Sequence, residues 1–282
     1  MLIAVASGKG GTGKTTVATN LASSLTGLTG KIQLLDCDVE EPNAHIFLKL
    51  TDKNVQPAHT MVPAVDLDKC TCCGACDEIC QFSAIAQFGN AILTFPEMCH
   101  SCEGCVMVCP EDAISKSSRQ LGEVIRGEVN GIDLIYGSLR VGEAMSPPLI
   151  DRVREHINPE AITIIDAPPG TSCPVIAAIR NADFVLLVTE PTPFGYNDLV
   201  LAVETVRMVG LPFGIVVNRH DVGSSIIHDY AEKEGIPIMM EIPDRRDIAE
   251  HYARGVMMCD VLPEMKEKFQ SLFNDIKIGV RD

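Results

Sequence analysis

The sequence has few basic residues and no long apolar run. Lys and Arg together number 23 against 38 Asp and Glu, which leaves a net charge of -15 at pH 7. Because such a charge repels both nucleic acid and anionic lipid, we expect neither as a partner. No apolar run approaches the ~20 residues that a membrane-spanning helix needs, and the apolar residues 1–6 meet a Gly- and Lys-rich loop too early for a signal peptide. These absences predict a cytoplasmic protein that does not insert into a membrane.

The composition also lacks the bias of disordered or low-complexity chains. Hydrophobic residues make up 46% of the 282 positions and charged residues 22%, while Gly and Pro stay at 22 and 17 residues. A chain with this much apolar material folds around a substantial core. At ~150 residues per domain, its length predicts one large or two modest domains.

Cysteine, by contrast, is abundant and crowded into one region. The chain has 12 Cys, and nine of them lie between positions 70 and 109. A disulfide scaffold is disfavoured because such scaffolds are small secreted domains. Eight of the nine repeat the spacing C-x2-C-x2-C-x3-C twice, as Cys70, Cys73, Cys76 and Cys80 and then as Cys99, Cys102, Cys105 and Cys109. Zinc sites also use paired cysteines, but two overlapping quartets are the spacing of bacterial two-cluster ferredoxins.

In this spacing the fourth Cys of each quartet lies too far along the chain to close the same cluster, and it ligates the other one. The sequence therefore predicts two 4Fe-4S clusters with crossed fourth ligands. The predicted ligands are Cys70, Cys73, Cys76 and Cys109 for the first cluster and Cys99, Cys102, Cys105 and Cys80 for the second. Gln81 replaces the proline expected after the first quartet, and Cys72 fits neither quartet, so we assign Cys72 no role.

Residues 63–115 are predicted to form a small α+β ferredoxin-like domain inserted into the rest of the chain. Eight acids and one Lys give this segment about half of the net negative charge. The turn residues Gly89 and Asn90 predict a hairpin. Short β-type stretches are expected at 64–67, 84–88 and 91–95.

The N-terminal residues carry a second pattern, in which an apolar strand, a glycine-rich loop and a helix follow one another. The loop matches G-x-x-x-x-G-K-[ST]. Its glycines let backbone N–H groups approach phosphate oxygens at a helix N-terminus. Lys14 is predicted to reach the β- and γ-phosphates, and Thr15 to ligate Mg²⁺. The predicted phosphate-binding residues are Gly8, Lys9, Gly10, Gly11, Thr12, Gly13, Lys14, Thr15 and Thr16.

Repeated strand and helix patterns elsewhere predict the fold class. Apolar runs of the kind buried in parallel sheets occur at 162–165, 184–188 and 213–217. Between the last two, Leu199, Val203 and Val206 share one helix face. We expect an α/β P-loop NTPase domain with a mainly parallel sheet flanked by helices. This domain is predicted to be discontinuous, comprising residues 1–62 and 116–282 with the cysteine module between them.

Lys9 makes the loop K-G-G-T-G-K-T, which resembles the deviant Walker A ATPase family that includes MinD, ParA, Mrp-type carriers and the nitrogenase iron protein. The resemblance implies MgATP binding and hydrolysis to ADP, and a nucleotide-dependent homodimer or paralogue heterodimer. It implies that Lys9 contacts the nucleotide across the dimer, that Asp38 positions the attacking water and that Asp166 holds Mg²⁺. The implied catalytic residues are Lys9, Lys14, Asp38 and Asp166, and the implied adenine contacts are Asn218, Arg219, Pro243 and Asp244.

The chain as a whole resembles MinD-superfamily ATPases that carry an inserted ferredoxin module, as segments 141–144 and 190–195 also indicate. The first hypothesis is an ATPase that couples nucleotide state to electron transfer through two 4Fe-4S clusters, with a redox protein as partner. The second is an ATP-dependent carrier or assembly protein for iron-sulfur clusters or metallocofactors, with a cluster-accepting client. The third is a MinD-like positioning ATPase, which the balanced charge of residues 264–282 disfavours because it gives little lipid attraction.

Two cysteines outside the module need separate interpretation. Cys173 lies seven residues after Asp166, where the nitrogenase iron protein also has a ligand. We nevertheless expect a buried structural thiol, because free Cys is usually buried. Cys259 stands alone, whereas Mrp-type carriers place a C-x-x-C late in the chain. The apolar stripe near the C-terminus is expected to pack on the ATPase core and consists of Met265, Phe269, Leu272, Phe273 and Ile276.

Overall fold

The computed structural model of the chain describes residues 1–28 and 30–280. Within these residues nine strands join in one sheet and two more form a separate hairpin. The strands of the sheet are β1 (Leu2–Ala6), β2 (Ile32–Asp36), β3 (Asn54–Val65), β6 (Ile114–Val129), β7 (Ile132–Leu139), β8 (Ile162–Asp166), β9 (Phe184–Thr189), β10 (Phe213–Asn218) and β11 (Ile238–Ile242). The hairpin strands are β4 (Ile85–Phe88) and β5 (Ala91–Thr94).

Parallel strands make up most of the sheet. In the order β11-β10-β9-β1-β8-β2-β7 every neighbouring pair is parallel. The antiparallel β6 and then β3 complete one edge. β2 and β9 are buried at every position, as apolar strands covered on both faces must be. The predicted α/β fold with a mainly parallel sheet is therefore confirmed.

Helices cover both faces of this sheet. On one face the core includes Leu21 and Phe269, and on the other it includes Val153 and Val203. The helices are α1 (Lys14–Leu25), α2 (Ala44–Phe47), α3 (Ala75–Ile79), α4 (Gly104–Met107), α5 (Pro147–Arg154), α6 (Cys173–Ile179), α7 (Pro193–Val209), α8 (Ile226–Glu234), α9 (Arg246–Ala253), α10 (Met258–Val261) and α11 (Pro263–Gly279). No helix in residues 1–28 and 30–280 is both long and apolar enough to cross a membrane.

Two predicted helix faces are buried as expected. Leu199, Val203 and Val206 of α7 pack against the sheet. All five residues of the C-terminal apolar stripe are buried in α11, which packs on α1. The stripe is thus part of the ATPase core. Arg281 and Asp282, which enter the charge balance of this segment, lie outside the described residues.

β3 and β6 continue beyond the sheet as a two-stranded antiparallel ribbon. Their pairing reaches Val65 and Ile114, whereas β6 pairs with β7 from Gly122 to Val129. The expected short strand at 64–67 is instead the end of the 12-residue β3, because the whole of β3 pairs with β6. The borders predicted after residues 62 and 115 fall within this ribbon, and residues 66–113 lie at its far end.

Residues 66–113 have a small core of their own. The hairpin of β4 and β5 closes with Phe88 opposite Ala91, as predicted for the Gly89-Asn90 turn. The core of the cysteine module consists of two cysteines from the predicted quartets, Ile85 of the hairpin and Ile114 at the start of β6. The two cysteines are Cys76 and Cys105. Cysteine side chains therefore form part of the core of this module, whereas the core of the main sheet is mostly aliphatic.

Truncation of α11 tests its role in the core. Phe269→Ala should lower the free energy of unfolding by about 3–5 kcal/mol, because Phe269 is fully buried and its removal leaves a cavity. Phe88→Ala is the control, since Phe88 is 80% exposed and its loss should change stability by less than about 0.5 kcal/mol. Urea denaturation measures both values. Equal losses in the two variants would contradict the packing of α11.

Candidate functional site

The glycine-rich loop connects the end of β1 to the start of α1. Gly13 precedes the helix with a φ of 98°, a left-handed conformation that favours glycine. A side chain at Gly8 would collide with the backbone of Asp198 in α7, since an added Cβ would lie 2.0 Å from its carbonyl oxygen. Two of the predicted glycines are therefore required by backbone geometry. The loop holds its N–H groups at the N-terminus of α1, where phosphate binds best.

Thr15 and Asp166 meet where Mg²⁺ is predicted. The Thr15 hydroxyl donates to Asp166 Oδ2 at 2.6 Å, and Asp166 Oδ1 is buried without a hydrogen-bond partner among the described residues. Burial raises the pKa of Asp166 from 3.8 to about 7, although the Thr15 bond and the Lys14 charge oppose the rise. Hydroxyl and carboxylate oxygens are the ligands that Mg²⁺ prefers. These residues fit a bound Mg²⁺, which would satisfy the unpartnered oxygen.

Asp36 shapes the loop that carries Asp38. Its buried carboxylate accepts the N–H groups of Asp38, Asn43 and Ala44 at 3.1, 2.9 and 2.9 Å. Burial and the neighbouring Asp166 raise the pKa of Asp36 well above its ordinary value. The sequence analysis did not assign Asp36 a role. Its position at the carboxyl end of a buried strand, two residues before Asp38, was the available signal.

Asp38 and Lys14 face the same cleft. Burial raises the pKa of Asp38 from 3.8 to about 6, while the Lys14 charge lowers it. Asp38 therefore remains largely ionised at neutral pH and can accept a hydrogen bond from water. The loop around it is also tied to β8, because the Cys37 N–H donates to the Asp166 carbonyl at 2.9 Å.

A cleft of about 350 Å³ gathers most of the predicted nucleotide-binding residues. The predicted residues that line it are Gly10, Gly11, Gly13, Lys14, Thr15, Thr16, Asp38, Asn218, Arg219, Pro243 and Asp244. Gly8, Lys9 and Thr12 belong to the same loop but do not line the cleft. The cleft also exposes residues that the sequence analysis missed, including Glu41, Glu190 and Tyr252.

The predicted adenine contacts lie at one end of this cleft. The Asn218 side-chain amide donates to the Thr12 carbonyl at 2.9 Å, which ties β10 to the phosphate loop. Arg219 forms ion pairs with Glu190 at 3.6 Å and with Asp244 at 3.4 Å. Glu190 directly follows β9, and this position at the carboxyl end of a buried strand could have identified it as a residue of the site. These contacts hold three strand ends together around the cleft.

The cysteines of the first predicted cluster surround one small cavity. Cys70, Cys73, Cys76 and Cys109 all line it, with Ile114 on the same wall. The fourth cysteine thus comes from the second quartet of the sequence, in the crossed arrangement expected from the spacing. The Cys109 thiol accepts the N–H of Ala113 at 3.3 Å. A thiolate at this position is stabilised by such a donor.

Three cysteines of the second set, Cys99, Cys102 and Cys105, lie close enough to affect one another's charge. The charges of Cys99 and Cys102 both act on the Cys105 thiol, whose pKa is raised mainly by burial. The Cys80 thiol accepts the Ala84 N–H at 3.2 Å, four residues on, as Cys109 does with Ala113. The fourth cysteine of each quartet therefore accepts a hydrogen bond from the backbone N–H four residues later in the chain.

An aromatic stack joins the two quartets. The rings of Phe82 and His100 lie 3.4 Å apart between centroids and are tilted by 6°. Phe82 follows Cys80 by two residues, and His100 directly follows Cys99. The stack therefore holds the Cys80 segment beside the Cys99 segment. The sequence analysis left both aromatic residues without a role, and no spacing signal marked them.

No three Cys, His, Asp or Glu side chains in residues 1–28 and 30–280 converge closely enough to hold a single metal ion. The cysteines of the first predicted cluster surround a cavity instead of meeting at one point. A cubane cluster keeps its ligand sulfurs further apart than one ion does. The donor set of thiols, apolar walls and backbone N–H groups is the chemistry that suits iron-sulfur clusters.

The expected burial of Cys173 is wrong. Cys173 is exposed at the first position of α6, whereas the buried face of that helix consists of Val175, Ala178 and Ile179. A residue two positions before Val175 lies on the opposite side of the helix. Cys259 is buried as a structural thiol, and its N–H donates to Asn20 Oδ1 at 2.9 Å. Burial raises the pKa of Cys259 to about 12.

The strand, glycine-rich loop and helix, with strand-end carboxylates beside them, define a P-loop nucleotide-binding α/β protein. Residues 3–258 match the CobQ/CobB/MinD/ParA nucleotide binding domain, and the chain belongs to this family. It is 32% identical to the uncharacterized protein MJ0578 of Methanocaldococcus jannaschii, over 98% of this chain and 96% of that protein. An iron-sulfur cluster carrier protein of Aquifex aeolicus is 24% identical over 90% of this chain, which spans 60% of that carrier.

Solved structures of the same fold include a cell-division ATPase. The septum site-determining protein MinD of Pyrococcus horikoshii, complexed with Mg-ADP, superimposes with a TM-score of 0.61. The two chains are 19% identical, and the match covers 98% of this chain and 95% of that one. At this identity the likeness shows the fold alone, which is the P-loop ATPase fold of the MinD and ParA proteins.

The pKa of Asp166 makes stability depend on pH when Mg²⁺ is absent. Its carboxyl holds a proton up to about pH 7 when folded but only to about 3.8 when unfolded, so folding takes up a proton between these values. The free energy of unfolding should therefore rise as pH falls from 8 to 6. Asp166→Asn should remove this contribution, and the exposed Asp275→Asn should keep it. Urea titrations at several pH values measure this pH dependence of the free energy of unfolding. An unchanged pH dependence in Asp166→Asn would contradict its assignment to Asp166.

Proposed function

We propose that the protein binds and hydrolyses MgATP and that its nucleotide state controls electron transfer through two 4Fe-4S clusters held by residues 66–113. The observation that carries the proposal is the cavity lined by Cys70, Cys73, Cys76 and Cys109. These residues sit at the end of a ribbon that begins in the ATPase sheet. Each cluster would supply one-electron chemistry at a point fixed relative to the nucleotide cleft.

Five residues take part in the proposed hydrolysis. Lys14 binds the β- and γ-phosphates, and Thr15 with Asp166 would hold Mg²⁺, which would neutralise phosphate charge. Asp38 orients the attacking water, because its largely ionised carboxylate accepts one of the water's hydrogen bonds. Water attacks the γ-phosphorus, the bond to ADP breaks, and phosphate leaves. Lys9 contacts the nucleotide of a second protomer in a homodimer or a paralogue heterodimer.

The remaining contacts position the nucleotide base. Asn218, Arg219, Pro243 and Asp244 hold the adenine at the end of the cleft that they line. The cysteine module has an acidic excess, which would attract a protein with a basic surface. We therefore expect the redox partner to carry a basic surface. A cytoplasmic location, where thiols stay reduced, agrees with cluster ligation by free cysteines.

An ATP-dependent carrier or assembly protein for iron-sulfur clusters or metallocofactors is the second candidate. The similarity to iron-sulfur cluster carrier proteins and the exposed Cys173 favour it. The two candidates differ in what leaves the protein. A carrier gives up iron to an apo-protein acceptor during ATP turnover, whereas an electron carrier keeps its iron count constant. The apolar stripe buried in α11 argues against the MinD-like positioning ATPase, because that stripe is used within the core.

Reductive titration under anaerobic conditions tests the coupling. MgATP should shift the titration of the clusters relative to MgADP and to nucleotide-free protein. Lys14→Ala should abolish this shift and weaken MgATP binding by roughly 10- to 100-fold, because the phosphates lose a charged donor. Lys31→Ala removes an exposed lysine and should behave as wild type. Identical titrations of the wild-type protein in all three nucleotide states would contradict the coupling.

Single serine substitutions test the cluster ligands. Cys109→Ser should reduce the iron count from eight to about four per chain, because one of two clusters loses a ligand. Cys72→Ser is a matched control within the same segment, since Cys72 fits neither quartet, and it should retain eight irons. Iron and sulfide analysis with electronic spectra measures both. Loss of a cluster in Cys72→Ser, or eight irons in Cys109→Ser, would overturn the ligand assignment.

A further inference from the structure

The side chain of Arg119 connects three separate segments. Arg119 lies on β6, in the part of the ribbon that extends beyond the sheet. Its Nε donates to the carbonyl of Pro96, three residues before Cys99, at 2.8 Å. Its two terminal nitrogens donate to both carboxylate oxygens of Glu143, one of them at 2.7 Å. Glu143 belongs to the loop between β7 and α5.

The ion pair is largely buried, and each partner stabilises the charged form of the other. The Glu143 side chain is 1% exposed and that of Arg119 is 12% exposed. Arg119 holds the pKa of Glu143 below its usual range, while Glu143 raises the pKa of Arg119, with Glu97 and Cys99 adding to that rise. Removing one partner of such a pair leaves the other charge buried and unpaired. Arg119 and Glu143 are therefore expected to move together.

The loop that carries Glu143 is tied to the loop that carries Asp38. The Leu139 N–H donates to the carbonyl of Val39 at 2.8 Å, and the Arg140 N–H donates to the carbonyl of Leu121 at 2.9 Å. Val39 directly follows Asp38 in the chain. A movement of Asp38 therefore displaces the hydrogen-bond partner of Leu139.

Packing makes this link short and stiff. An added Cβ at Gly137 would lie 2.6 Å from Val39 Cγ1, so β7 and the Asp38 loop are in close contact. On the neighbouring strand β3, where Thr60 is the register partner of Arg119, Ser101 Oγ donates to the Met61 carbonyl at 2.7 Å and lies 2.7 Å from Thr60 Oγ1. The segment that bears Cys99 and Cys102 is thus held by β3 through Ser101 and by β6 through Arg119.

We propose that Arg119 is a positioning residue that transmits the nucleotide state from Val39, through Glu143, to the Pro96–Cys99 turn. This proposal rests on the proposed function. It assigns the control of electron transfer by the nucleotide to one side chain, that of Arg119. Movement of Glu143 changes how far the Arg119 charge is neutralised beside Cys99. A less neutralised positive charge near a cluster favours its reduced form.

Amide hydrogen exchange of the anaerobic, cluster-loaded protein tests this connection. A non-hydrolysable ATP analogue with Mg²⁺ should change the exchange of residues 96–103 by roughly fivefold or more, the range of ordinary coupling energies. The combined Arg119→Gln and Glu143→Gln variant should lose this response while still binding nucleotide. Removing both charges together avoids leaving either one buried and unpaired.

Two further variants separate transmission from folding. Arg126→Gln breaks a more exposed Arg–carboxylate pair on the same strand, with Asp133, and should respond as wild type. Arg119→Lys keeps the charge but loses the fork that reaches both Glu143 and Pro96, so it should fold and still lose the response. The reduction potential of the cluster at Cys99 should likewise lose its nucleotide dependence in both Arg119 variants and keep it in Arg126→Gln.

The outcomes distinguish this inference from the proposed function. A nucleotide response in the Arg119 variants equal to wild type would overturn the inference and leave the ATP-gated clusters standing. No exchange response in wild-type protein that contains eight irons and binds MgATP would also overturn it. An iron count below eight in wild-type protein would overturn the cluster assignment, and the exchange response would still decide whether Arg119 links the two segments.

Discussion

Two buried carboxyl groups lie side by side at the centre of the sheet, and the nucleotide site depends on them. Asp36 and Asp166 end the adjacent strands β2 and β8 and are register partners. Like charges so close cannot both be ionised without cost, and burial adds to that cost. Backbone N–H groups at Asp36 and the Thr15 hydroxyl and Lys14 charge at Asp166 offset this cost only in part, because the pKa of both carboxyl groups stays raised. The site is therefore built to gain stability from a bound cation.

The same pair determines where the surrounding loops go. The three N–H groups that Asp36 accepts fold the loop after β2 back over the strand end, and this places Asp38 in the cleft. The Cys37 N–H bonds to the Asp166 carbonyl, so the loops after β2 and β8 move as neighbours. Any cation or phosphate that changes the charge at Asp166 acts on both loops. The proposed nucleotide-dependent rearrangement has this coupling as its physical basis.

The ribbon of β3 and β6 connects the ATPase sheet to the cysteine module, and the proposed rearrangement would use this connection. Antiparallel pairing along twelve residues of β3 makes the ribbon a stiff connection rather than a pair of linkers. Side chains add to this connection, because Arg119 of β6 donates to the Pro96 carbonyl and Ser101, near Cys99, donates to the Met61 carbonyl of β3. The cysteine module is consequently continuous with the ATPase sheet in its backbone and linked to the Asp38 loop through Glu143.

Local patterns in the sequence determined much of the fold and of the site. Apolar runs predict the central strands because strands buried on both faces need apolar residues at every position, and the phosphate loop is recognisable because its glycines and Lys14 must follow one another closely. The cysteine spacing likewise predicts crossed quartets. Tertiary structure alone decided the roles of Asp36, Arg119 and Glu143, whose partners lie far away in sequence or on the backbone. It also decided that Cys173 is exposed, because the buried face of α6 depends on how that helix packs against the sheet.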